Sequence, residues 1–172
     1  MISPASSGIK NGFISGLLAI IVSLVLYFVS ADLMLQISNW SNFLISIIFM
    51  VLAGLAVKKS NDGFLSFGEG FMASWLTYVI FALLGAIFSY LLFNVIDPDL
   101  SELIKARTIA TMQSMMEIIG GDEDQMEETL SIMEDQDYSM SAGKTGLGFL
   151  MSAIFGAIPS AIIALIIRKK RN

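Results

Sequence analysis

FMASWLTYVIFALLGAIFSYLLFNVI, residues 71–96, is the stretch that decides the fold. It holds no Asp, Glu, Lys, Arg or His on any helical face. A helix at the surface of a soluble protein keeps one polar face, whereas a helix apolar all round is buried in protein or lipid. A bilayer core of ~30 Å needs ~20 apolar residues at a rise of 1.5 Å each. Segment 71–96 exceeds that length, so tilting or projection beyond the lipid is expected.

Three more segments of this kind lie on either side. Residues 12–31 form the first candidate span and 146–167 the last. Residues 43–57 form the second, which reaches spanning length only if 40–42 are added. The chain of 172 residues is 55% hydrophobic, with a mean hydropathy of +0.75. That apolar excess over the ~45–50% of ordinary globular domains is gathered into these four blocks. The first block also resembles a secretory signal, with Lys10 ahead of it and Val29-Ser30-Ala31 behind. Its apolar run is longer than the ~7–15 residues of a signal core, so an uncleaved anchor is expected.

Charge sets the expected orientation. Lys10, Lys58, Lys59, Arg168, Lys169, Lys170 and Arg171 are seven of the ten basic residues, and all flank the same side of an even number of spans. Basic flanks mark the cytoplasmic side, which places both termini there. The segment 97–145 carries twelve acidic residues against three basic ones. It is too long for a simple connection and is expected to hold structure of its own. Asp97-Pro98-Asp99 closes the third span. Leu100, Ile104, Met112, Met115, Met116 and Ile119 recur at helical spacing. Gly120-Gly121 stops that helix, and Met126, Leu130 and Met133 mark a second one over roughly 123–135. The expected fold is an all-α membrane protein with four transmembrane helices running up-down-up-down. It divides into spans one to three (1–96), an acidic external helical hairpin (97–145), and span four with a basic tail (146–172).

The motifs favour structural roles. Ser66 and Glu69 have capping-box spacing ahead of the third span, where unsatisfied helix-end donors near lipid are costly. Gly8, Gly12 and Gly16 form one small-residue ridge. Gly148, Ser152, Gly156, Ser160 and Ala164 form another. Such stripes let helices approach closely in lipid, and the two ridges are expected to meet, with Gly16 and Gly156 closest. Pro159 is expected to bend span four. Asp122, Glu123, Asp124, Glu127 and Glu128 offer oxygen ligands for a cation or a basic partner, but lack the alternate spacing and central Gly of an EF-hand. A solvated acidic face is the ordinary reading. Arg168, Lys169, Lys170 and Arg171 are placed to meet lipid headgroups as well as to anchor topology.

Catalysis is disfavoured by subtraction. There is no Cys and no His, so thiolate, Ser–His and imidazole–metal chemistry are removed. No acidic dyad lies within a span. No cofactor is expected, and a net charge of −5 does not invite nucleic acid. The expected partners are membrane lipids and a second copy or another membrane protein. Two alternatives stand beside association. One is a small transporter or channel for an uncharged or lipid-like solute, lined by Thr77, Tyr78 and Asn94. The other is an envelope sensor using the acidic hairpin.

The order of these features resembles a known family. Two spans and a basic turn precede Ser66-Phe67-Gly68-Glu69-Gly70-Phe71, which opens a long third span. Ile96-Asp97-Pro98 closes that span, and a polar helical stretch leads to a last span ending in Arg168-Lys169-Lys170-Arg171. This resembles the domain-of-unknown-function family 4199, small membrane proteins of Gram-negative bacteria. The resemblance implies an inner-membrane four-helix protein and brings no activity and no site residues.

Overall fold

The structure, a computed structural model, describes residues 2–119 and 123–169. The described residues are helical almost throughout. The helices are α1 (Pro4–Val29), α2 (Ala31–Ser60), α3 (Phe67–Leu91), α4 (Leu100–Ile119), α5 (Glu123–Glu134), α6 (Ala142–Phe155) and α7 (Ala157–Ile167). Four helical stretches are long and apolar enough to cross a membrane: Pro4–Val29, Ala31–Ser60, Phe67–Ile96 and Ala142–Ile167. The chain divides into two compact units, Met1–Ser89 with Gly143–Asn172, and Tyr90–Ala142.

The first unit is built inside out relative to a soluble protein. The buried positions of α1 and α3 are small or hydroxylated: Ser7, Gly8, Gly12, Ser15, Gly16, Ala19 and Ser23 on α1, and Gly70, Ala73, Ser74 and Thr77 on α3. Met50, Val57, Leu65, Ile163 and Ile167 add a buried apolar cluster. The unit's exposed positions are large and apolar. Phe13, Leu17, Ile21 and Val25 repeat every four residues along α1 and are 48–58% exposed. An apolar strip of that length facing water would be an aggregation hazard, whereas facing lipid tails it carries no penalty.

Spans two and four differ from the sequence reading. The second span is not the shortest: α2 starts at Ala31, a single residue after α1 ends. Ser30 makes this abrupt turn by serving both helices. It is extended (φ −169°, ψ 129°), its N–H donates to Leu26 O, and its Oγ accepts from Leu33 N at 3.4 Å. Asp32 then lies in the first turn of α2, where the helix dipole favours an acid.

Span four is interrupted at one residue near Pro159, where the chain stays in α-helical conformation (Gly156 φ −61°, ψ −18°). α6 ends at Phe155 and α7 begins at Ala157, with Gly156 between them. Pro159 has no N–H for Phe155 O, and its ring crowds that carbonyl, so the ladder fails in the turn just before the proline. At the other end of the chain's core, α3 runs into a π-helical turn, Leu92–Ile96, in which Asp97 N donates to Leu92 O at 2.8 Å.

The two small-residue ridges do not meet as expected, because both are filled from α3. A Cβ on Gly8 would lie 2.7 Å from Leu76 Cβ, one on Gly12 2.6 Å from Ile80 Cβ, and one on Gly16 2.6 Å from Leu84 Cδ1. A Cβ on Gly156 would collide with the ring of Tyr78, again on α3. The closest approach of Gly16 is therefore to Leu84 and that of Gly156 is to Tyr78. A groove made by missing side chains is filled best by a large side chain, and a second groove cannot fill it. Gly148 is exposed, and nothing lies within 4 Å of a Cβ placed there, so it is not part of the packed ridge. Ser152 is half-buried, and Ser160 and Ala164 are buried.

In the second unit, α4 and α5 pack on each other. Ile104, Met112, Met116, Leu130 and Met133 are half-buried, while Met115, Ile118 and Ile132 stay exposed. Asn94 donates to Tyr90 O at 2.9 Å and to Met140 O at 2.8 Å.

Candidate functional site

Most of the hydroxyls buried inside the four-span unit donate to its own backbone, whereas Ser38 Oγ, Asn42 Oδ1 and Thr145 Oγ1 are buried without a hydrogen-bond partner. Between helices, Ser7 Oγ donates to Ala53 O at 2.9 Å and Ser74 Oγ to Met50 O at 3.1 Å. Within helices, Ser15 Oγ donates to Gly12 O, Ser46 Oγ to Phe43 O, Thr77 Oγ1 to Ala73 O and Ser160 Oγ to Gly156 O. In lipid each unsatisfied group would cost several kcal/mol, so these bonds are what makes such an interior tolerable.

The interruption in span four is clamped from α3. Trp75 Nε1 donates to Ala153 O at 3.0 Å, and Tyr78 OH shares a hydrogen bond with Ser152 Oγ at 2.9 Å. Trp75 and Tyr78 are three residues apart and so lie on one face of α3. Gly156 leaves the space that the Tyr78 ring fills. Pro159 gave the sequence signal for a disturbed helix. Nothing in the sequence said that Trp75 and Tyr78 would supply its partners.

The other polar assembly joins the ends of the helices. The turn after α2 uses left-handed backbone at Asp62 (φ 52°) and Gly63 (φ 82°). Gly meets that geometry without strain, and Asp is among the few other residues that tolerate it, so both positions suit their residues. Leu65 and Lys169 then pair as an isolated antiparallel bridge, with both N–H···O distances 2.9 Å. Lys58 Nζ donates to Ile167 O at 2.7 Å, and Ile2 N donates to Ser60 Oγ at 3.0 Å. Lys169 Nζ stands 5.6 Å from the centre of the Phe64 ring, within cation–π range. The chain start, the 60–65 turn and residues 167–169 thus form one polar end.

Ser66 and Glu69 exchange the two hydrogen bonds of a capping box at this end. Ser66 N donates to Glu69 Oε2 at 2.8 Å and Glu69 N to Ser66 Oγ at 3.3 Å. Asn61 Nδ2 donates to the other carboxylate oxygen at 3.1 Å, tying the cap across the turn. Replacing Ser66 with Ala should cost ~0.5–2 kcal/mol of stability, read as an earlier loss of helicity in a detergent titration.

Asp122, Lys170 and Arg171 lie outside the described residues. Glu123, Asp124 and Glu127 are described only as backbone of α5, and Glu128 is exposed. Among the described residues, no three acidic side chains gather as a cation site.

Four helical stretches long and apolar enough to span, with large apolar side chains exposed along them, are the pattern of a multi-pass helical membrane protein. Residues 10–169 match the family described as "Protein of unknown function (DUF4199)", and the chain belongs to it. No curated protein and no solved structure matches the chain.

Proposed function

We propose that this is a non-enzymatic protein of the bacterial inner membrane that acts by association, as an accessory or assembly component or as a homo-oligomer. The observation that carries this reading is the spent interior. The hydroxyls traced above bond within the protein, and among the described residues no ionisable side chain is buried. An interior of that kind holds helices together and offers little to a solute or a reacting bond, so recognition falls to the surfaces.

The transport alternative needs Thr77, Tyr78 and Asn94 to be free for a solute. Their hydrogen bonds to Ala73 O, to Ser152 Oγ and to Tyr90 O and Met140 O weigh against it. The sensor alternative rests on the acidic segment alone.

The orientation belongs to the same proposal. Contacts that join Ile2 to Ser60 and Leu65 to Lys169 support four spans alternating in direction. Lys58, Lys59, Arg168 and Lys169 cluster at that end, which supports a cytoplasmic assignment and sends segment 97–145 to the far side. Reporter fusions at Asn172 and within 60–63 should read cytoplasmic, and fusions near Gly121 external. An external reading at Asn172 would overturn the topology. Association itself is tested by crosslinking in native membranes followed by purification in mild detergent. The expected product is one reproducible complex, either a second copy or one partner. Repeated recovery of an uncrosslinked monomer would count against it.

A further inference from the structure

We propose that the exposed surface where the start of α3 meets the end of span four binds one anionic phospholipid, with its phosphate held by Lys59, Arg168 and Lys169. The inference rests on the reading that this end faces the cytoplasmic leaflet, which is rich in anionic lipid.

Basic tails usually meet a membrane as loose charge. This one is fixed in place. The two Leu65–Lys169 backbone bonds hold the chain just beyond span four against the start of α3. Lys58 is already committed to Ile167 O and acts as a second tie rather than as a free cation. The remaining basic groups at this end, Lys59, Arg168 and Lys169, are exposed. The nearest acid on the helix, Glu69, has its two oxygens engaged by Ser66 and Asn61. Asp62, in the turn, is the other carboxylate at this end.

An aromatic ladder descends from the same point. Phe67, Phe71 and Trp75 recur every four residues on one face of α3. Their rings stack with centres 6.0 Å and 6.2 Å apart. Phe67 is 42% exposed, and nothing lies within 4 Å of a Cβ placed on the adjacent Gly68. The foot of the ladder is pinned to span four by the Trp75 to Ala153 O bond. Phe67 and Phe71 are wholly apolar and suit acyl chains, while the Trp75 N–H is committed to Ala153 O. Cations at the top and flat apolar rings below match a phosphodiester with its glycerol and acyl chains. Free phosphate would satisfy only the top.

The test is native mass spectrometry of the full chain in neutral detergent, titrated with phosphatidylglycerol or phosphatidylcholine of identical acyl chains. Phosphatidylglycerol should bind at least tenfold tighter, and soluble glycerol phosphate at equal concentration should not displace it. Arg168→Gln and Lys169→Gln, both at exposed positions, should each weaken that binding about fivefold, equivalent to ~1 kcal/mol per charge. Inserting Gly-Ser-Gly-Ser between Ile167 and Arg168 keeps every charge but frees the basic residues from the Leu65 pairing. That insertion should abolish the preference. Equal binding of the two lipids by the unaltered chain, or a preference that survives the insertion, would overturn the fixed site. The topology fusions are read separately, so failure of this site and failure of the orientation remain distinguishable.

Discussion

Replacing Gly12 with Leu should destabilise the four-span unit by ~3 kcal/mol, the top of the usual range for overpacking a dense interior. The first added carbon alone would sit 2.6 Å from Ile80 Cβ and 2.8 Å from Thr77 O. The second of these is backbone and the first is fixed to backbone, so neither can swing aside. Relief requires α1 and α3 to separate, which undoes the neighbouring fits of Gly8 on Leu76 and Gly16 on Leu84. Unfolding in mixed micelles, followed by helicity, reads the loss. The same substitution at Gly85 should cost far less, since a Cβ there meets nothing within 4 Å. Equal losses at the two positions would contradict this packing.

The second large effect is a reversal of sign at Gly156. In the native background Gly156→Ala should destabilise by ~1–3 kcal/mol, because the methyl runs into the Tyr78 ring. Tyr78→Ala should itself cost ~3–5 kcal/mol by leaving a cavity and orphaning the Ser152 hydroxyl. With the ring gone, the methyl at 156 partly fills the space, and alanine favours helix by ~1 kcal/mol over glycine. The double variant should therefore be more stable than Tyr78→Ala alone. Residues in direct contact couple by ~0.5–3 kcal/mol, within reach of a double-mutant cycle. Additive losses would mean that the ring does not occupy the glycine groove.

These contacts mark what could and could not be read from sequence. Spans one, three and four are visible as charge-free runs, and the two helices of the acidic segment as a repeat of Met, Leu and Ile closed by Gly120-Gly121. The full length of α2 is hidden because Asp32, Gln36, Asn39 and Asn42 make its first turns look like a loop. Only the double cap at Ser30 explains why they stay helical. The ridges are visible as period-four glycines, but a glycine stripe does not specify its complement. Leu76, Ile80 and Leu84 repeat at the same period on α3 and look like any lipid-facing strip. The Leu65–Lys169 pairing is hidden for a different reason. Two backbone groups 104 residues apart carry no side-chain signature, and their meeting follows only once four helices have fixed the ends of the chain.

A sealed interior leaves function to the surfaces. The absence of native cysteine makes this directly measurable. Thr77 is fully buried and replaceable by the near-isosteric cysteine. In intact membranes, Thr77→Cys should resist a small water-soluble thiosulfonate reagent and react only after the protein is denatured. Rapid modification in the intact membrane would reveal a water-filled path through the bundle and contradict the account.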